Sequence, residues 1–127
     1  MAYEVEWDGE SSPQSVDGPE AALALSREVD AAAEGPLLMS FISPSGAFFA
    51  LGLGAPVSCA TFWEGADPPY FQSRGSAGPE AEMITWSYSQ PTELPTSTQI
   101  PRDAAFAALE EFVRTGTRPT SIEWDET

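Results

Sequence analysis

"GPLLMSFISPSGAFFALGLGAPVSCATFW" spans residues 35–63 and contains no charged side chain, although 20% of the chain is charged. An uncharged segment of this length predicts the core of the protein. Turn-forming residues at 43–46 and 54–56 divide it into three runs, LLMSFI, AFFALGL and VSCATFW. The connections between these runs are too short for crossovers, so we expect three antiparallel strands in a meander.

The size and charge of the chain limit its function. Its 127 residues match a single domain over residues 1–127, and a hydrophobic content of 42% with four tryptophans is too high for a disordered acidic protein. Twenty carboxylates face five arginines, without lysine or histidine, and the net charge is -15. This charge repels nucleic acid and anionic membranes and favours basic partners. Acidity that serves only solubility is the alternative.

The segments before the uncharged region predict one strand and one helix. Tyr3, Val5 and Trp7 alternate with glutamates, which is typical of a strand with one buried face. A helix is expected from an N-cap at Asp17 to about Glu34, where a glycine and a proline end it.

Residues 64–82 are rich in glycine, proline and charge, and they predict one long loop. The strand MITWSY follows, with Ile84, Trp86 and Tyr88 on one face. An extended, proline-rich connection with a short edge strand near Leu94 comes next.

A second helix is expected to begin at Pro101 and to end at Gly116 in a left-handed conformation. Its buried stripe is predicted to contain Ala105, Phe106, Leu109, Phe112 and Val113, while Arg102, Glu110, Glu111 and Arg114 face water. Ile122 and Trp124 form a last strand. Together these elements predict an α+β fold, with a mainly antiparallel sheet of about five or six strands and two packed helices.

The sequence offers little catalytic chemistry. Without histidine or lysine, general-base and phosphate-binding roles fall to carboxylates, arginines and hydroxyls alone, and we found no nucleotide or metal motif. Cys59 is the only cysteine, and because no histidine is present to act as its base or as a second metal ligand, we interpret it as a small buried side chain and not as a nucleophile or metal ligand. We therefore predict no enzymatic activity, no cofactor and no metal. The first residues lack a secretory signal and no apolar run is long enough to span a bilayer, so we expect a cytoplasmic protein.

The loop is the expected binding surface, because long loops in compact domains are usually functional or disordered. It combines carboxylates, which speed association with a basic partner, with aromatic anchors. The predicted contacts are Glu64, Asp67, Tyr70, Phe71, Glu80 and Glu82. A connector without function is the alternative, and the polar face of the sheet carrying Glu4, Glu6 and Glu123 is then the next candidate.

The C-terminal segment IPRDAAFAALEEFVRTGTRPTSIEW, residues 100–124, carries a family signature. The pattern of a proline, an alanine-rich helix, a phenylalanine, Thr-Gly, Arg-Pro and a strand with tryptophan resembles the first-numbered immunity protein family of bacterial polymorphic toxin systems. The matching positions are Pro101, Ala104, Ala108, Phe112, Thr115, Gly116, Arg118, Pro119 and Trp124. The resemblance implies a cytosolic antitoxin that binds and neutralises a cognate toxin domain, often a nucleic-acid deaminase or nuclease.

Two other classes of function remain open on the sequence. One is a small-molecule-binding or enzymatic α+β cup lined by aromatic side chains. The other is an acidic nucleic-acid mimic that inhibits DNA-binding proteins in general.

Overall fold

The computed structural model describes residues 2–8 and 14–127. The strands in this part of the chain are β1 (Tyr3–Trp7), β2 (Gln14–Val16), β3 (Leu37–Ile42), β4 (Phe48–Leu53), β5 (Ala60–Trp63), β6 (Tyr70–Ser73), β7 (Thr85–Tyr88), β8 (Gln90–Glu93) and β9 (Trp124–Glu126). The helices are α1 (Pro19–Ala32) and α2 (Arg102–Thr115), and a 3-10 turn covers Thr96–Thr98. The α+β class is confirmed, although the described residues form nine strands instead of five or six.

The sheet runs in the order β2-β1-β3-β4-β5-β6-β9, with antiparallel neighbours throughout this path. The predicted meander is confirmed as β3, β4 and β5. Its third strand begins only at Ala60, because Ser58 instead forms an isolated bridge with Ile100. Strand β7 lies parallel to the start of β3 and forms a hairpin with β8.

The prediction of one long loop over residues 64–82 is wrong, because this region contains β6, which pairs with β5 and with β9. The last strand begins at Trp124, so Ile122 precedes it. Strand β2 lies between the predicted first strand and the predicted first helix, where the sequence predicts no element, and β8 ends beside Leu94, close to the expected edge strand. Strands β2, β6 and β9 have only three or four residues each, and none alternates clearly between apolar and polar residues.

Both helices pack on one face of the sheet. Val5, Phe41, Phe49 and Phe62 point from the strands into a core that also contains Phe112 of α2. Helix α1 ends at Ala32, two residues before the predicted end. The predicted cap by Asp17 is wrong, since Gly18 precedes the helix and no side chain caps it. Pro19 occupies the first turn and has no N–H group to be capped.

The buried stripe of α2 is confirmed, and Gly116 ends the helix with φ 73°. Glu111 lies on the outer side of α2 but is not an ordinary surface charge. It accepts hydrogen bonds from the backbone N–H groups of Thr120 at 2.8 Å and Ser121 at 3.1 Å. Burial raises the pKa of Glu111, but these bonds lower it more, so the pKa lies below its usual value. Glu111 thus fixes the chain between α2 and β9.

The prediction that Arg102 faces water is also wrong. Its guanidinium forms an ion pair with Asp30 of α1 and donates to the Ala55 carbonyl at 2.7 Å. Asp30 in turn accepts a 2.8 Å hydrogen bond from the backbone N–H of Gly54. One arginine therefore joins both helices to the turn after β4.

This network predicts a pH dependence of stability. Burial raises the pKa of Asp30, but the hydrogen bonds from Arg102 and Gly54 and the charge of Arg102 lower it more, so the folded-state pKa lies below the usual value. The carboxylate therefore stabilises the fold fully above its unfolded pKa of about 3.9, and this contribution is lost as the pH falls through the lower folded pKa.

Urea unfolding of the wild type and of Asp30→Asn between pH 7 and pH 3 measures this effect as the difference in their free energies of unfolding. The variant should be less stable at pH 7, and the difference should shrink below about pH 4. Comparing the two proteins cancels the effect of acid on the other carboxylates. A difference that stays constant over this range would contradict the prediction.

Candidate functional site

The second face of the sheet, opposite the helices, is covered only in part. The strand register aligns two rows of side chains across it. The first row is Glu4, Ile42, Phe48, Trp63 and Tyr70, and the second is Glu6, Ser40, Ala50, Thr61, Gln72 and Asp125. We call these two rows the open face; within it Ser40 and Ala50 are only 1% and 3% exposed, so the surface available to a partner comes from the other members of the rows.

The β7–β8 hairpin covers the adjoining part of this face. Trp86 is 1% exposed and packs in a small cluster with Leu38, Ala55 and Cys59. A Cβ atom on Gly52 would lie 2.5 Å from the Trp86 ring, so the strand below the ring requires a glycine. The hydroxyl of Tyr88 lies 3.1 Å from the Ser40 hydroxyl, which is where the hairpin meets the open face.

Three aromatic side chains lie side by side on the open face. The rings of Phe48 and Trp63 stack with centroids 3.9 Å apart and an interplanar angle of 3°. Tyr70 meets Trp63 edge to face, with centroids 5.5 Å apart at 72°. Trp63 and Tyr70 are half-buried, whereas Phe48 is 9% exposed. The hydroxyl of Tyr70 donates to the Ala66 carbonyl and so joins this row to the turn between β5 and β6.

Carboxylates lie at both edges of the open face. Glu4 and Glu6 on β1 are exposed and form no ion pair with the part of the chain that the structure describes. Asp125 on β9 pairs with Arg74 at 2.8 Å. The unpaired negative charge is therefore on the β1 side.

The structure divides the residues predicted to bind a partner among three places. Glu64, Asp67 and Phe71 line a cleft of about 390 Å³ between the β5–β6 turn and the chain after α2, where Arg118 lies 4.3 Å from the Phe71 ring centroid. Tyr70 lies on the opposite face, because neighbouring residues of a strand point to opposite sides.

Glu80 and Glu82 are separate from both groups. They lie in the connection between β6 and β7, and Glu82 lines a different cleft of about 600 Å³ with Met83 and Ile84. Of the residues in the alternative prediction, Glu4 and Glu6 belong to the open face. Glu123 precedes β9, and its carbonyl accepts from the Arg74 N–H.

All five arginines contact other residues of the chain. Arg74, Arg102 and Arg114 form ion pairs with carboxylates. Arg27 and Arg118 lie over the rings of Phe106 and Phe71, with centroid distances of 5.3 and 4.3 Å. The few positive charges are therefore engaged within the molecule. Most of the described carboxylates form no ion pair with them and can interact with a partner.

The described residues offer little for catalysis or metal binding. Cys59 is buried, and this burial raises the pKa of its thiol to about 12, so it remains protonated near neutral pH. Within residues 2–8 and 14–127 there is no cluster of three or more acidic, cysteine or histidine side chains suited to a metal. Neither described helix has the length and apolar character needed to cross a membrane.

Phe48 and Trp63 lie in the stretch that the sequence predicts to form the core, and the structure places both in the row on the open face. They belong to the uncharged stretch, in which both faces of the strands are apolar. Pairing the predicted strands β4 and β5 places Phe48 beside Trp63. An uncharged sequence with two apolar faces does not show, however, which face of the sheet the helices cover.

The comparisons with known proteins agree with the signature at the C-terminus. No curated protein sequence gives a significant match. The family model described as immunity protein Imm1 matches residues 6–126, nearly the whole chain. On this match, the chain belongs to the Imm1 family of immunity proteins.

Proposed function

We propose that this protein neutralises a cognate bacterial toxin domain by binding it directly, without catalysing a reaction, in the cytoplasm of the cell that it protects. Membership of the Imm1 family carries the proposal, since an immunity protein acts against a toxin. The described residues include few side chains suited to catalysis or metal binding, which supports a role in binding.

The toxin in this proposal acts on nucleic acid, as a deaminase or a nuclease. A protein that holds nucleic acid has a basic groove, and an acidic inhibitor gains association rate and competes for that groove. This chain has the negative charge that such an inhibitor needs, since its net charge is -15 and its five arginines already contact other residues of the chain.

We further propose that the toxin contacts the β5–β6 turn, where Glu64 and Asp67 are exposed and lie beside Phe71, with Tyr70 on the other side. Glu80 and Glu82 lie outside this turn. In this proposal they contribute through the negative field that steers the toxin.

Co-expression tests the function. Cells producing the toxin domain encoded next to this gene should survive when they also produce this protein, and the two should co-purify. A toxin variant with its catalytic residue replaced serves to isolate the complex without killing the host. Rescue that fails for every neighbouring toxin domain, with a folded and abundant protein, would contradict the proposal.

A further inference from the structure

We propose that the open face of the sheet is the docking surface for the toxin, that Trp63 is its central anchor, and that a basic, arginine- or lysine-bearing patch lies across it. This inference rests on the proposed function and adds the surface, the anchor and the chemistry of the partner. It extends the contact from the β5–β6 turn onto the sheet.

The geometry of Trp63 suits a binding anchor. Its ring is fixed between Phe48 at 3.9 Å and Tyr70 at 5.5 Å, so little side-chain freedom remains to be lost on binding. The side chain is nevertheless partly exposed. Tryptophan and tyrosine in such positions are the residues that most often contribute large shares of binding energy.

The indole N–H of Trp63 provides a second argument. It makes no hydrogen bond within the described part of the chain, whereas the indole N–H of Trp124 donates to the Pro119 carbonyl at 2.8 Å. A partner that covers Trp63 must therefore supply an acceptor, since a buried N–H without one costs free energy.

The charges around the open face select the partner. Glu4 and Glu6 leave the β1 side negative without an internal cation. A second copy of this chain would bring like charges together, and nucleic acid would bring phosphates, so both are repelled. A basic protein surface matches the carboxylates and the aromatic row together.

The open face is wide enough for a specific complex, but it is shallow along the strands. Neighbouring strands lie about 4.8 Å apart, so the five steps from β1 to β9 give a width of about 24 Å. Along the strands the face has only two rows of side chains, which lie about 7 Å apart. A standard interface buries about 800 Å² on each partner, which corresponds to a square about 28 Å on a side. A partner of standard size therefore also covers the β5–β6 turn and the β7–β8 hairpin beside the open face.

Binding kinetics with the catalytically inactive toxin domain test the anchor. Trp63→Ala should weaken binding about 30-fold or more, mainly through faster dissociation. Trp7→Ala is the matched control, because Trp7 is also partly exposed but packs against the core on the helix side. It should change the affinity less than about threefold if it acts only on stability.

A second pair of variants tests the charge. Glu4→Lys should slow association several-fold at low salt, with a smaller effect at high salt. Glu28→Lys makes the same change in net charge on the helix side and should have a weaker effect. If Trp63→Ala does not fold, Gln72→Arg, which adds a bulky cation to the open face, should weaken binding instead.

The outcomes separate the two proposals. If the wild-type protein does not bind its toxin, the proposed function fails. If it binds but the folded Trp63→Ala and Glu4→Lys variants behave like wild type, or if each variant is no worse than its control, the docking surface is wrong and the function stands.

Discussion

Replacing Phe112 with alanine is expected to lower the free energy of unfolding by about 3 to 5 kcal/mol. The side chain is 0% exposed, and its ring centroid lies 5.4 Å from that of Phe49 and 6.0 Å from that of Phe62. Tyr3 packs against its edge at 5.5 Å. The substitution leaves a cavity where α2 meets three strands of the sheet. Urea unfolding followed by circular dichroism measures the loss.

Phe112→Leu is the matched control. Leucine fills most of the same space, so the expected loss is below about 1.5 kcal/mol. Equal and small losses for the two variants would show that the site collapses around alanine and that the aromatic contacts contribute little.

Trp86→Ala is expected to cost about 3 to 5 kcal/mol as well, because the ring is 1% exposed and packs with Leu38, Ala55 and Cys59 between the β7–β8 hairpin and the sheet. The close approach of this ring to Gly52 gives a sharper test. Gly52→Ala alone should be destabilising by about 1 to 3 kcal/mol, since the added methyl group meets the ring.

In the Trp86→Ala background the same glycine substitution should cost far less, because the obstructing ring is absent. A double-mutant cycle measures this coupling. If Gly52→Ala costs the same in both backgrounds, the ring does not lie where the structure shows it.

Periodicity in the sequence predicted the parts of the fold that have one buried and one polar side. The stripe of α2 from Ala105 to Val113, the alternation of β1 and the glycine at position 116 each have a local physical cause. The uncharged stretch predicts the central meander for a different reason, its lack of charge and its turn-forming residues at 43–46 and 54–56. The pairing of β7 with β3 and the link from Arg102 to Asp30 join distant parts of the chain, so no local pattern indicates them.

The predicted site shows how a missed strand affects a functional prediction. The sequence predicts Tyr70 and Phe71 as anchors of one loop, but they lie on β6 and point to opposite faces of the sheet. The exposure of the carboxylates is easier to predict, since a charged residue in a proline-rich turn is exposed in almost any fold. The choice between the two faces depends on which one the helices cover, and that is decided by packing of the whole chain.

The rate at which the Cys59 thiol is alkylated measures local opening of the molecule. The thiol lies beneath the β7–β8 hairpin in the Trp86 cluster, and its burial raises the pKa to about 12. Alkylating reagents attack the thiolate, so labelling requires an excursion that lifts the hairpin and exposes the sulfur. The rate of labelling in native buffer therefore measures how often the β7–β8 hairpin opens in the unmodified protein. Timing it with and without the bound toxin reports whether the partner restrains the hairpin, which borders the open face at Tyr88.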